Sequence, residues 1–151
     1  MKTAGDILKE TKREVYCVAP DATCEEALKV MAKHNIGAIL IKDKKEVVGI
    51  WTERDLIRNS VEPGFDIKTS RIKDHMSTNL KYAQSDENVY HMMDKFLGLR
   101  LRHLLIEKNG KFLGMLSSGD VLKEVLWEKN KEIKDITSIV GWEYYENWKV
   151  K

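Results

Sequence analysis

The feature that most constrains this chain is a pattern written twice, 65 residues apart. Residues 47–56 read Val-Val-Gly-Ile-Trp-Thr-Glu-Arg-Asp-Leu, and residues 112–121 read Phe-Leu-Gly-Met-Leu-Ser-Ser-Gly-Asp-Val. In each, an apolar run of strand length ends on a hydroxyl residue, and a carboxylate follows three positions later. Thr52 and Ser117 are therefore expected to cap helices that start directly after a buried strand, with Asp55 and Asp120 at the third helical position. Laid on residue i+65, the segment from Pro20 to Arg58 needs no gap. Only five of its 39 pairs are identical, so the repeat rests on aligned pattern rather than identity. Asp21 falls on Asp86, Ala27-Leu28 on Met92-Met93, Met31 on Phe96, Ile39-Leu40-Ile41 on Leu104-Leu105-Ile106, and Gly49 on Gly114. Asn109-Gly110, a strong two-residue hairpin signal, falls on Lys44-Lys45.

Each copy then predicts strand, helix, strand, strand, helix. In the first, Val15 to Val18 is a short strand, and Ala27, Leu28, Met31 and Ala32 give the following helix one apolar face. Ile36 to Ile41 and Val47 to Trp51 are strands joined by a polar turn at Lys42 to Lys45, and Thr52 to Asn59 is a helix. Gly5 to Lys12 reads as a short amphipathic helix with Ile7 and Leu8 inward, and the Pro63-Gly64 stretch from Val61 to Ser70 as a linker. A copy of about 50 residues buries little core alone, whereas two with matching apolar faces can share one. The expected fold class is α/β in the α+β sense: two β-α-β-β-α repeats packed about a pseudo-two-fold axis. The expected divisions are 1–68, 69–128 and a C-terminal extension, 129–151.

Composition narrows the function. A net charge of +2 over 151 residues gives no ground for a nucleic-acid partner. No apolar run reaches the roughly 20 residues of a membrane span, and the charged stretch from Met1 to Glu10 lacks the apolar centre of a signal peptide. A cytoplasmic location is expected. Cys17 and Cys24 form no Cys-x-x-Cys pair, and His34, His75, His91 and His103 show no metal-ligand spacing. They read as free thiols and non-ligating imidazoles, and no metal is expected. Nothing in the sequence assembles a nucleophile, a base and its orienting group, so no catalytic residue is expected.

Taken together, the Gly-apolar-apolar-Thr/Ser-x-x-Asp corners at Gly49 to Asp55 and Gly114 to Asp120, the Pro20-Asp21 turn, the Ala27-Leu28 helix and the strand from Arg102 to Ile106 resemble a tandem CBS-domain pair, the Bateman module. The resemblance covers roughly Gly5 to Glu124. It implies a stand-alone regulatory module with two clefts for adenosine-containing ligands such as AMP, ATP, NAD or S-adenosylmethionine, AMP or ATP foremost, with no further cofactor. It departs from the family at Leu105, where many relatives carry proline, and at Asp86, which follows Ser85 instead of proline. In the family, the corner of one copy faces the first strand and strand entry of the other. Carried over by position, one cleft would hold Thr52, Arg54, Asp55, Leu80, Lys81, Arg102 and His103. The other would hold Ser117, Ser118, Asp120, Val15, Tyr16, Gly37 and Ala38. The resemblance also implies a homodimer and an effector protein of unknown identity.

Read from the residues alone, each of these features has a plainer meaning as well. Ser/Thr-x-x-Asp is a capping box with Asp in the place of Glu. In the ligand reading the acid accepts from a ribose diol and the helix N-terminus faces phosphate. Arg100, Arg102 and His103 are either a solvated basic edge or a phosphate clamp. The Met92-Met93-Phe96 stripe reads as core, and the run from Lys129 to Lys134 as a solvated helix face. Trp142, Tyr144, Tyr145 and Trp148 would pack on their own module or form an interface. A partner-binding adaptor with empty clefts is the alternative to a nucleotide sensor.

Overall fold

A computed structural model describes residues 1–134. Its elements run α1 (Ala4–Thr11), β1 (Cys17–Val18), α2 (Cys24–His34), β2 (Ala38–Asp43), β3 (Glu46–Thr52) and α3 (Glu53–Asn59). A 3-10 turn at Ile72–Asp74 follows, then β4 (Tyr82–Gln84), α4 (Val89–Gly98), β5 (His103–Lys108), β6 (Lys111–Ser117) and α5 (Ser118–Lys134). The strands form two three-stranded sheets, ordered β1-β2-β3 and β4-β5-β6. In each, the first pair is parallel and the second antiparallel. The 65-residue offset holds down to register: Ala38 pairs with Thr52 and His103 with Ser117, and a bulge between Ile41 and Lys42 recurs between Ile106 and Glu107. The hairpin tips agree too, with left-handed backbone at Lys44 and Asn109 (φ 54° and 51°). The fold is the expected pair of β-α-β-β-α repeats.

Two apolar clusters hold the halves. Cys24, Ala27 and Met31 of α2 pack on Ile39, Ile41 and Trp51, and Val89, Met92 and Phe96 of α4 pack on Leu104, Ile106 and Leu116. Each fully buried Ile or Leu here contributes about 1.5–3 kcal/mol. Each cluster is completed by the segment that precedes the other repeat. Ala4 and Ile7 of α1 sit in the second cluster, and Ile72 sits in the first. The crossing is pseudo-symmetric: the Gly5 amide donates to the Ser85 carbonyl at 2.8 Å, and the Lys73 amide to the Pro20 carbonyl at 3.1 Å. Gly49 lies against the side chain of Met76, and Gly114 against that of Leu8. Neither glycine has room for a Cβ without movement of that neighbour. The packing thus runs across the division drawn at residue 68. Leu40 and Leu105 belong to neither cluster yet are fully buried, so both faces of each sheet are covered.

Two local expectations are corrected. Ala32 is exposed, because the buried stripe of α2 runs through Cys24, Ala27 and Met31 and leaves Ala32 one position beyond it. Val15 is exposed, and β1 is confined to Cys17 and Val18; Tyr16 contributes only its carbonyl, which accepts from the Leu40 amide at 3.3 Å. Lys129, Lys131 and Glu132 of α5 are exposed as expected, with Lys129 paired to Glu132 at 2.9 Å. The aromatic cluster from Trp142 to Trp148 lies outside the described residues. Among the described residues, no helix is long and apolar enough to cross a membrane.

Candidate functional site

Both corners are capping boxes. Thr52 Oγ1 accepts from the Asp55 amide at 3.3 Å, while Asp55 Oδ2 accepts from the Thr52 amide at 2.9 Å and from Thr52 Oγ1 at 3.0 Å. Ser117 and Asp120 repeat this at 3.2, 2.8 and 2.7 Å. Each helix start is pinned to the strand entry of its own repeat: the Glu53 amide donates to the Gly37 carbonyl at 3.0 Å, and the Ser118 amide to the Arg102 carbonyl at 2.8 Å. Asp therefore serves as well as Glu at the third position, because the strand-to-helix corner brings the shorter carboxylate onto the cap amide.

The corners differ at the second carboxylate oxygen. Among the described residues, the cation paired with Asp55 Oδ1 is Arg58, at 3.8 Å, too far for a hydrogen bond and from a guanidinium that is 70% exposed. Asp120 is held by a fork: Arg13 Nη2 reaches Oδ1 at 2.9 Å and Nη1 reaches Oδ2 at 3.1 Å. The Asp120 side chain is 6% exposed and that of Asp55 is 19% exposed.

A cleft of about 870 Å³ opens at the first corner, within the size range of small-molecule sites. Thr52, Arg54, Asp55, Lys81, Arg102 and His103 line it together, so the two halves meet there. Leu80 does not line it, although Asn79 and Lys81 on either side of it do. Gly37, Ser117 and Ser118, assigned by position to the other cleft, line this one. Val15, Tyr16, Ala38 and Asp120 do not. Ala38 is buried, and Asp120 is covered by Arg13. The cleft also gains Glu53, Arg58, Ser77 and Asn79, which the sequence reading missed, and Arg100, which it noted only as part of the basic edge. Arg58 was findable, one helical turn from Asp55. Ser77 and Asn79 precede β4 in an irregular stretch with no local signal.

Five cationic side chains (Arg54, Arg58, Lys81, Arg100 and Arg102) line the cleft against two acids, Glu53 and Asp55. His103 is not a sixth. Burial pushes its imidazole below the ordinary 6.5, outweighing the pull of Asp120 and Glu53. At neutral pH it is a neutral donor and acceptor rather than a charge. Among the described residues, no group of three or more His, Cys, Asp or Glu could hold a metal ion.

The model of the CBS domain matches twice, over residues 4–62 and 72–126. An uncharacterised 17.7 kDa protein of Acidianus ambivalens is 35% identical over 115 residues, 75% of this chain and 68% of its own. The crystal structure of a CBS-domain-containing protein from Agrobacterium tumefaciens superposes with a TM-score of 0.77 at 32% identity, covering 82% of this chain and 99% of that one. The structure of CBSX2 in complex with AMP shares the fold, with a TM-score of 0.71 at 18% identity over 85% of this chain and 99% of its own.

Proposed function

This chain belongs to the CBS-domain family, and from that membership we propose that it is a regulatory module that binds AMP or ATP in the cleft beside Thr52 and Asp55 and catalyses nothing. The observation that carries the reading is the open oxygen of Asp55 in a cleft of net positive charge. A ribose diol needs an acceptor with a free lone pair, and Asp55 Oδ1 offers one. A phosphate needs fixed cations across from it, and Lys81 and Arg102 supply them from the second repeat. A protein of this fold, CBSX2, has been crystallised in complex with AMP, which supports an adenosine compound as the ligand class. The free thiols of Cys17 and Cys24 suit the reducing interior of a cell.

Hydrogen bonds to charged groups contribute about 1.5–3 kcal/mol each, and about 1.4 kcal/mol is a factor of ten. Calorimetric titration with AMP and ATP should therefore show binding that Asp55→Ala weakens tenfold or more. Arg102→Ala should weaken the nucleotides more than adenosine. Failure of any adenosine compound to bind the intact chain would remove the reading.

One observation speaks for a protein contact beside the nucleotide cleft. Leu122, Leu126 and Ile133 are exposed along one side of α5. We assign that stripe to a homodimer contact, in which the same surface serves both subunits. An effector protein would then act on the dimer.

A further inference from the structure

The second corner already has an occupant. Arg13 comes from the segment between α1 and β1, 107 positions before Asp120, and lays both terminal nitrogens on its carboxylate. With Ser117 also donating twice to Oδ2, the two oxygens take four hydrogen bonds and ion-pair contacts, and the acid is 6% exposed. A planar guanidinium bound through two parallel N–H groups offers the acid the same pair of donors as the two hydroxyls of a ribose. The neighbouring aromatic is engaged as well. Tyr16, which by the 65-residue offset stands where Lys81 stands in the open cleft, stacks on His34 at 3.7 Å, and its hydroxyl donates to Glu14 at 3.1 Å. The two corners are thus built alike and filled differently: Asp55 faces an open cleft, and Asp120 faces the chain's own side chain.

We infer that Arg13 is a built-in plug that takes the ribose position of the second corner and limits the chain to one adenosine ligand. This rests on the reading that the open corner takes such a ligand. The plug confers selectivity between two near-identical sites, without any change at Ser117 or Asp120 themselves. The contact is also reversible, since the Arg13 side chain is 65% exposed and only its head is held.

The test is the stoichiometry of AMP and of adenosine by calorimetry, on the full chain and its variants. The intact chain should bind one equivalent. Arg13→Ala should bind two, and Arg13→Ala combined with Asp55→Ala should bind one equivalent that a further Asp120→Asn abolishes. Arg13→Gln, which keeps the length of the side chain but not the charged fork, gives the same comparison if Arg13→Ala does not fold. Two equivalents on the intact chain, or no more on the folded Arg13 variants than on the intact chain, overturns the plug. No binding to the intact chain with one equivalent on Arg13→Ala upholds the plug and overturns the open cleft as the ligand site.

Discussion

The different state of the two acids should be measurable without any ligand, as a difference between two double-mutant cycles. In Arg13/Asp120, a forked pair at 2.9 and 3.1 Å joins a guanidinium that is mostly solvated to an acid that is not. An exposed pair contributes roughly 0–1 kcal/mol, and breaking a fully buried one costs about 3–5 kcal/mol. With one partner on each side of that line, a coupling of about 1–2 kcal/mol is expected. In Arg58/Asp55 the separation is 3.8 Å and the guanidinium is 70% exposed, so the coupling should be close to nil. The cap contribution, about 1 kcal/mol at each corner, appears in both single acid variants and cancels from both cycles. Asp120→Ala should therefore destabilise the chain by about 1–2 kcal/mol more than Asp55→Ala. Urea unfolding of the wild type, the four single variants and the two doubles supplies both cycles. Equal couplings at the two corners would refute the claim that the fork distinguishes them, as would a larger one at Asp55.

Two further perturbations follow from the packing and the cleft. Gly49→Ala should destabilise by about 1–3 kcal/mol, because the new methyl overlaps the middle of the Met76 side chain. Gly114→Ala should cost much less, since the atom it meets, at 3.0 Å, is the tip of Leu8; equal losses in thermal melts would contradict this. His103 has its folded-state value below the ordinary 6.5, so the unfolded chain binds its proton more readily. Its contribution to stability is complete above about pH 6.5 and is lost as pH falls through the lower folded value. His103→Gln should flatten the stability profile on that acid side and leave it unchanged above pH 7, and an unaltered acid limb in the variant would refute the assignment.

Much of the fold is legible from the chain because its pattern repeats. One period of 65 residues gives both copies the same order of elements and the same hairpin, with Ile39 and Ile41 facing the same way as Leu104 and Ile106; the bulges and the parallel pairs are seen only in the structure. Local periodicity does less well where a helix face is narrow. Ala32 fits an i+4 rule from Leu28 as readily as Cys24 fits an i−3 rule from Ala27, and only the packed sheet selects between them. The crossing of α1 into the second cluster is half legible: Ile7 marks an inward face, but nothing in the sequence says which core receives it. Thr52 and Asp55 are readable because the repeat itself locates the start of their helix, whereas their sharing a cleft with Arg102 and His103 is what the resemblance to the CBS family implies. Arg13 is not readable in this way. It sits in an irregular segment, two residues before the first expected strand at Val15, and its partner is 107 residues away. No short-range rule distinguishes it from any solvated arginine.

The central claim is that an adenosine nucleotide occupies the cleft at Asp55. Amide chemical shifts of the full chain titrated with AMP test it most directly, because they place the ligand without any mutation. Saturable shifts should concentrate at Glu53 to Asp55, Lys81 and Leu101 to His103, while Arg13 to Tyr16 stay where they are. An unchanged spectrum at millimolar AMP, or shifts centred on Arg13 to Tyr16 with the Asp55 corner silent, would contradict the account.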